Sequence, residues 1–301
     1  MRERLSKNLK ELMPPGVEPQ FPSGDCSHST FGRHLIISER IIIMAKKQDK
    51  ESTEIVIEQL MSGMATFWIK GKSPLIFHSM SSKAKHEFLF PKGKKSKAEK
   101  EQTMKHDMMK EYFESTYRSR GNNCPTRLVL PTTAVKATMM SAALEVQGLR
   151  KTQIGRLVWV LGSYIDVYGV PEMYTCMVRT ADQAHTPDMR TRAIVPDWCC
   201  KFTVEYVVPT MNETTIGRLI NTAGIVAGLG DFRSEKGKGN YGQFELCNES
   251  DVKAIVKNGG RVPQDKALTD PKFFDIETEE LYTWYVAELK KRGKCEKGTK
   301  A

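Results

Sequence analysis

Alternating apolar and polar residues predict the clearest strand of the chain between residues 197 and 210. In DWCCKFTVEYVVPT, apolar side chains occupy every second position from Cys200 onward, and mostly polar ones lie between them. A period of two separates the two faces of a β-strand. A weaker alternation in MATFWIKGKSPLIFHSM (64–80) predicts a second strand, which breaks at Gly71 and Pro74 and continues as another extended piece.

An apolar repeat of three to four residues predicts a helix directly after a short strand in residues 125–146. The apolar run RLVL ends at Pro131, and Thr132 or Thr133 can cap the helix that follows. The apolar stripe of this helix consists of Val135, Met139, Ala142 and Val146.

The same kind of repeat predicts three further helices in the second half of the chain. One covers residues 212–224, with Asn212 as its cap and Gly224 placed to end it. Another covers residues 250–257, and the last is IETEELYTWYVAELKKRG, with acids in its first turn and bases in its last. Helices and strands are therefore interleaved along the chain.

Short hairpins between these elements decide the expected fold class. Residues 156–169 are typical of two short strands around Gly162, residues 179–208 of a β-hairpin, and YGQFEL (241–246) of a last strand. Hairpins favour antiparallel pairing over a doubly wound parallel sheet. We therefore expect an α+β fold of ferredoxin-like (RRM-like) type, with an antiparallel sheet core, large insertions and a thumb-like hairpin at 179–208.

Changes of composition divide the chain into segments. The first residues are rich in proline, glycine and serine, which predicts either disorder or an extension that is not translated, with Met44 as the true start. Residues 91–100, PKGKKSKAEK, are strongly basic and run into a charged helical pattern. The expected parts are an extension (1–43), a lead-in (44–63), a main domain (64–250) with a basic insert (83–120), and a C-terminal helical extension (251–301).

The excess of basic residues indicates what kind of molecule the protein could bind. The 301 residues carry a formal net charge of +10. A lysine-rich surface keeps a protein soluble, but clusters of Lys and Arg also gain affinity for polyanions by releasing counterions from phosphates. Composition alone leaves both interpretations open.

Composition also argues against several other classes of protein. No apolar run approaches the roughly 20 residues that a membrane-spanning helix needs. The seven cysteines form no CxxC pair, and the six histidines fall in no ligand-like spacing with them. We expect a cytoplasmic protein with reduced thiols, no membrane association, no metal and no cofactor.

Five glycines in GLGDFRSEKGKGNYGQFEL (228–246) raise the question of phosphate binding. A P-loop ends in Gly-Lys-Ser/Thr before a helix, and a dinucleotide fingerprint needs GxGxxG at the start of a helix. This glycine segment has neither ending, and the strand-like YGQFEL completes it. What remains is a glycine-rich hairpin, either a plain turn or a loop whose amides approach a nucleic-acid backbone.

Two motifs resemble the RAMP superfamily of CRISPR-associated RNA-binding proteins. GLGDFR, followed by basic residues and GKGNYGQF, is similar to the glycine-rich motif of that superfamily, and LPTTAVKATMMSAAL is similar to its first-helix motif. Both lie in the expected order, with a predicted hairpin between them. Length and insertions are most similar to the backbone subunits that polymerise along guide RNA; a stand-alone relative, for example from a phage, is the alternative.

The resemblance implies a surface that contacts the backbone of single-stranded RNA without regard to sequence. Lys136 lies in the first turn of its helix, an unfavourable place for a cation unless it meets an anion. Phe232, Tyr241 and Trp198 are aromatic residues that either stack on bases or belong to the core. The implied nucleic-acid-binding residues are Arg127, Lys136, Arg190, Arg192, Gly228, Gly230, Arg233, Lys236, Lys238 and Tyr241.

Some RAMP proteins cut RNA with a histidine or an aspartate, which makes His78 the candidate catalytic residue. Asp231 and Asp166 are further candidates, but the sequence pairs neither of them with a second catalytic group. We therefore expect a non-catalytic protein that binds single-stranded RNA and self-associates along it. The alternatives are a metal-independent endoribonuclease of the same fold, and a single-stranded DNA-binding or annealing protein that shares only the electrostatics.

Overall fold

The computed structural model describes residues 59–90, 106–121, 123–179, 186–236 and 239–292, which all belong to one compact unit. The predicted parts 1–43 and, up to residue 58, the lead-in lie outside the described residues, as does the strongly basic run 91–100. Antiparallel sheets and helices are mixed along the chain, which confirms the α+β class.

Nine strands and eight helices make up the described residues. The strands are β1 (Met61–Gly71), β2 (Leu75–Ile76), β3 (Val129–Pro131), β4 (Val158–Val160), β5 (Tyr164–Tyr168), β6 (Glu172–Arg179), β7 (Pro187–Val195), β8 (Cys199–Val208) and β9 (Phe244–Cys247). The helices are α1 (Ser82–Leu89), α2 (Met108–Ser115), α3 (Thr132–Ala142), α4 (Lys151–Leu157), α5 (Glu213–Val226), α6 (Glu249–Asn258), α7 (Arg261–Thr269) and α8 (Ile276–Lys291).

The larger sheet has six strands with β8 and β1 at its centre. Its order is β3-β5-β8-β1-β9, and β4 pairs with β8 next to β5, so that β4 and β5 act as one interrupted strand. Every pairing is antiparallel. The two strands with the clearest alternation in the sequence, β8 and β1, pair over ten residue pairs from Met61↔Val208 to Lys70↔Cys199.

Helices α3 and α5 pack together on one face of this sheet. Their apolar stripes share one buried cluster with the inward residues of β1 and β8, such as Ile69 and Phe202. The opposite residues of both strands are polar or partly exposed, as the alternation predicts. We call this uncovered side, which carries Trp68, Lys201 and Trp159, the open face.

A second sheet, β2-β7-β6, stands beside the first and contains the hairpin of the molecule. The predicted pairing within residues 179–208 is wrong: β7 pairs with β6 and β2, whereas β8 joins the six-stranded sheet. The chain changes sheets at Trp198, which is fully buried over Gly71, where a side chain would overlap the indole. Trp198 is therefore a core residue and cannot stack on a base.

Gly224 does not end the helix that precedes the glycine segment. Helix α5 continues to Val226, and a side chain at Gly224 would overlap the carbonyl oxygen of Phe244 in β9. The glycine is needed because the helix and strand backbones approach each other closely, not because the helix ends there. The apolar repeat also missed β6, α1, α4 and α7, and it placed Val146 in helix α3, which ends at Ala142.

Candidate nucleic-acid interface

The glycine segment forms a compact loop between α5 and β9. Gly228, Gly230 and Gly242 have φ angles of 73°, 80° and 71°, and Phe232 has a φ of 51°. These angles lie in the left-handed region, which glycine adopts without strain. The N–H of Leu229 donates to the carbonyl of Gly242 at 2.8 Å and closes the base of the loop.

The loop packs against the turn that follows β1. The N–H of Asp231 donates to the carbonyl of Ile76 at 3.0 Å, and that of Gly242 donates to the carbonyl of Pro74 at 2.8 Å. A side chain at Gly230 would place its Cβ 2.5 Å from the carbonyl oxygen of Ile76. Close backbone contacts within the chain therefore account for these glycines without a bound nucleic acid.

The two motif segments, which lie far apart in sequence, touch each other in the fold. The hydroxyl of Thr138 in α3 donates to the carbonyl of Ala134 in its own helix at 2.8 Å and also lies 3.3 Å from the carbonyl oxygen of Gly228, across 90 residues of sequence. One turn further along the helix, the hydroxyl of Ser141 lies 2.6 Å from a carboxylate oxygen of Glu235. Helix α3 and the glycine segment form one continuous surface as a result.

Lys136 points away from that surface. Residues two apart in an α-helix lie about 200° apart around its axis, so Lys136 and Thr138 occupy nearly opposite sides of α3. The ammonium of Lys136 lies 5.7 Å from the centre of the Trp159 ring on β4. The structure thus separates Lys136 from the glycine segment and brings it to the edge of the six-stranded sheet.

Asp231 joins the glycine segment to the hairpin and to the strand end after β2. Its carboxylate accepts a hydrogen bond from Arg192 of β7 and lies 3.9 Å from Nδ1 of His78. The Arg192 guanidinium also lies 5.2 Å from the centre of the Phe232 ring. We call these four residues the Asp231 junction.

His78 is the exposed member of the Asp231 junction. Partial burial and the neighbouring guanidinium of Arg192 lower the pKa of His78 below its ordinary value of 6.5, although Asp231 opposes the shift. The imidazole is therefore neutral at pH 7 and can act as a proton acceptor. The sequence named both His78 and Asp231, but only the fold brings them together.

The other two predicted arginines near the Asp231 junction are each held by an acid. Arg190 lies 3.1 Å from a carboxylate oxygen of Asp188, its neighbour on the same face of β7. Arg233 donates to Glu235 at 2.8 Å and to the carbonyl of Gly230 at 3.0 Å. These contacts neutralise part of the positive charge that the sequence assigns to the region.

His106 was missed by the sequence analysis because its partners lie far away in the chain or on a helix of uncertain extent. Its Nε2 lies 2.9 Å from Asp188 and its Nδ1 lies 2.6 Å from Glu111 of α2. Glu111 also accepts the backbone N–H of Thr191 at 3.1 Å. The group fastens α2 to the hairpin strand that carries Arg190 and Arg192.

The remaining predicted residues lie elsewhere or outside the described part. Arg127 pairs with Asp265 of α7 at 3.2 Å and so belongs to a different surface. The Tyr241 ring packs against Tyr174 of the hairpin, with 6.3 Å between ring centres. Lys236 ends a short 3₁₀ turn, Ser234–Lys236, and Lys238 falls outside the described residues.

The open face carries aromatic and basic residues that no motif singled out. The ammonium of Lys201 lies 5.2 Å from the centre of the Trp68 ring, and Tyr168 lies 6.2 Å from that ring on the other side of β8. Beside these rings, the hydroxyls of Thr66 and Thr203 form a hydrogen bond of 2.8 Å. Tryptophan on the polar face of a strand was the sequence signal that could have revealed this surface.

The described residues contain no group of three or more His, Cys, Asp or Glu side chains that could hold a metal ion. None of their helices is long and apolar enough to cross a membrane. Burial raises the pKa of Cys199 to about 12 and that of Cys200 further above its usual range, so both thiols stay protonated. Such thiols are poor nucleophiles and poor metal ligands.

No protein-family model matches the sequence, and no curated protein matches it.

Proposed function

We propose that the protein binds single-stranded RNA through its backbone, without cutting it, and assembles along the strand in the manner of the RAMP proteins that it resembles. The observation that carries this proposal is the direct contact between the two motif segments at Thr138–Gly228 and Ser141–Glu235. Two motifs that are each weak in sequence gain weight when they form one surface.

The order of elements supports the ferredoxin-like part of the proposal. With β4 and β5 taken as one strand, the chain runs β1, α3, β4–β5, β8, α5, β9, with other elements inserted. In the sheet, the last strand of this series lies beside the first, then come the third and the second. A βαββαβ unit with both helices on one face has the ferredoxin-like arrangement.

The β6–β7 hairpin is our candidate for the thumb. It belongs to a separate sheet, and its strand β7 carries Arg190 and Arg192 next to the glycine segment. Its range, Glu172–Val195, replaces the predicted 179–208. The thumb would keep successive bases apart while the glycine segment and its neighbours contact the phosphates.

Anisotropy of labelled single-stranded RNA tests the proposal on the full chain. We expect tight binding that weakens steeply with salt, because phosphate contacts release counterions. Lys136→Ala and Arg233→Ala should each weaken it, whereas Lys290→Ala, which removes a charge from the exposed end of α8, should not. Absent or salt-independent binding contradicts the proposal.

The same measurement distinguishes the partner and the assembly. DNA of equal length and sequence is the competitor, and equal affinity for both favours the single-stranded DNA-binding alternative. Self-association along the strand predicts complexes that grow with RNA length in analytical ultracentrifugation. Complexes that stay at one protein per strand, whatever the length, contradict the assembly part of the proposal.

A metal-independent endoribonuclease is the second candidate, and the contact between His78 and Asp231 favours it. A neutral imidazole can take the proton from a ribose 2′-hydroxyl as a general base. Cleavage of labelled RNA in EDTA, lost in His78→Ala, would establish this activity. Because the pKa of His78 is lowered, the acid limb of the rate profile should have its midpoint below pH 6.5.

A further inference from the structure

We propose that the open face of the six-stranded sheet is a platform on which bases of a single-stranded nucleic acid stack, with Trp68 and Trp159 as the stacking residues. Lys201 and Lys136 would contact the phosphates beside them. The inference rests on the proposed function, since it names the part of the molecule that receives the bases. None of these residues except Lys136 belongs to either motif.

The first step of the argument is that the face is available. Helices α3 and α5 pack on the other side of the sheet, and the outward residues of β1 and β8, apart from Cys199, are partly or fully exposed. Trp159 is 42% exposed, and Met64, which lies across Glu205 from it, is 67% exposed. Among the described residues, the face is closed at the Cys199 end, where α6 packs against β8.

The second step is the chemistry that repeats on this face. Lys201 lies over Trp68 and Lys136 lies over Trp159, at 5.2 Å and 5.7 Å from the ring centres. Among the described residues, neither lysine has a carboxylate within ion-pair distance. Each couple therefore offers a ring for a base and an ammonium for a phosphate, the two groups that single-strand binders combine.

The third step is the charge of the face, which favours a polyanion over a protein partner. Lys70 and Lys201 on this face, and Lys136 at its edge, have no ion-pair partner among the described residues. Of the acids there, Glu245 is paired with Lys72 at 3.2 Å, and Asp166 accepts a hydrogen bond from the hydroxyl of Thr126. The acid that remains is Glu205. Lysine is depleted from the cores of protein–protein interfaces. A second copy of this basic chain would also bring like charges together.

The fourth step is the spacing of the two rings. Trp68 pairs with Lys201, and Trp159 pairs with Glu205 four residues further along β8. With about 3.4 Å per residue and about 4.8 Å per strand, the rings are about 14 Å apart along the strands and about 10 Å across them. Sheet surfaces can stack two or three bases on separate aromatic residues, so each of these rings could receive a base of its own.

The test uses the full chain, a labelled single-stranded RNA, and replacement of each tryptophan. Trp68→Leu and Trp159→Leu should each weaken binding about tenfold, since each removes the ring on which one base would stack. Trp284→Leu is the matched control, because Trp284 is 59% exposed on α8, outside the sheet. The control should bind as the unchanged protein does.

Lys201→Gln tests the platform even if the tryptophan variants fail to fold. It leaves Trp68 in place and should weaken binding several-fold, with a salt slope that is lower by about one. Circular dichroism on every variant shows whether the fold is retained.

The outcomes separate the two proposals. If the unchanged protein does not bind RNA, the proposed function fails. If it binds and the three open-face variants bind equally well, the proposed function stands and the platform is overturned. If Trp68→Leu alters the oligomeric state of the RNA-free protein but not its affinity, the face is an interface between copies and the platform is again overturned.

Discussion

The Asp231 junction and the open face use similar residues in opposite ways. At the Asp231 junction, Arg192 is buried, bonded to Asp231 and stacked near Phe232. On the open face, Lys201 is exposed and lies over Trp68, and no carboxylate of the described residues is within ion-pair distance of it. A cation and an aromatic ring meet in both places, but only on the open face is the cation left for a partner from solution.

The difference shows that a basic motif is a weak guide to where a polyanion binds. The glycine segment attracts attention because of its composition, yet its arginine is tied to Glu235 and to its own backbone. Its glycines are explained by contacts with residues 74–76 and with itself. The segment organises the fold around α3, whereas the positions between the apolar residues of β1 and β8 carry lysines that have no ion pair within the described part of the chain.

The largest effect that would test this contrast is expected from Gly230→Ala. The substitution combines a φ of 80° with a Cβ 2.5 Å from the carbonyl of Ile76. We expect a loss of about 3 kcal/mol or more in the free energy of unfolding, measured with urea. Gly148→Ala is the control, since Gly148 has a φ of 83° and open space around it, and should cost about 1 kcal/mol. Equal losses would mean that the close packing of the loop is unimportant.

Asp231→Ala is expected to have the next largest effect. It leaves the Arg192 charge buried without a partner, which costs about 3 kcal/mol in comparable cases. Glu235→Ala removes the acid beside the more accessible Arg233 and should cost less than about 1 kcal/mol. A small effect of Asp231→Ala on stability, together with stronger RNA binding, would contradict this structural role. It would show that Asp231 instead neutralises an arginine that can bind RNA.

Glu205→Gln tests the open face by a gain of function. Glu205 lies opposite both Met64 and Trp159, between the two lysine–tryptophan couples. Removing its negative charge should strengthen RNA binding by roughly 0.5 kcal/mol at low salt and less at high salt. Glu280→Gln, on the exposed side of α8, makes the same change in net charge and should leave affinity unchanged. Equal gains in both variants would indicate a general charge effect.

The smallest expected effect defines the end of the open face. Cys199 faces the same side as Lys201, but it is buried, and burial raises its pKa to about 12. Since alkylation requires the thiolate, iodoacetamide should leave Cys199 unmodified in the folded protein while it modifies the half-buried Cys124. Peptide mass spectrometry measures both. Modification of Cys199 at the rate of Cys124 would mean that the open face extends past α6.

Alternation along β1 and β8 was predictable because each strand packs one face on helices and leaves the other uncovered. The same simple rule predicted α3 and α5, whose stripes face that sheet. The predictions from sequence failed where a local pattern has two explanations. Gly224 is typical of a helix end, but it allows a close approach to Phe244, and only the neighbouring strand reveals which applies.

The hairpin illustrates a different limit. β7 and β8 follow each other with a three-residue connection, so local pattern favours pairing them. Instead, the buried Trp198 sends β8 into the larger sheet between β1 and the β4–β5 strand, where both of its edges are satisfied. Strand pairing is decided by which edges remain open elsewhere in the fold, and that information is non-local.

By itself, the sequence determined the α+β class, the two central strands, the two packed helices and the basic character of the chain. These follow from periodicity and composition, which are local properties of neighbouring residues. Only the tertiary structure showed that the two motifs are in contact and that Arg192 is paired with Asp231. It also showed that Lys136 lies next to Trp159 and not next to the glycine segment. The sequence determines which side chains are charged, but whether a charge is neutralised depends on the residues that folding brings within a few ångströms of it.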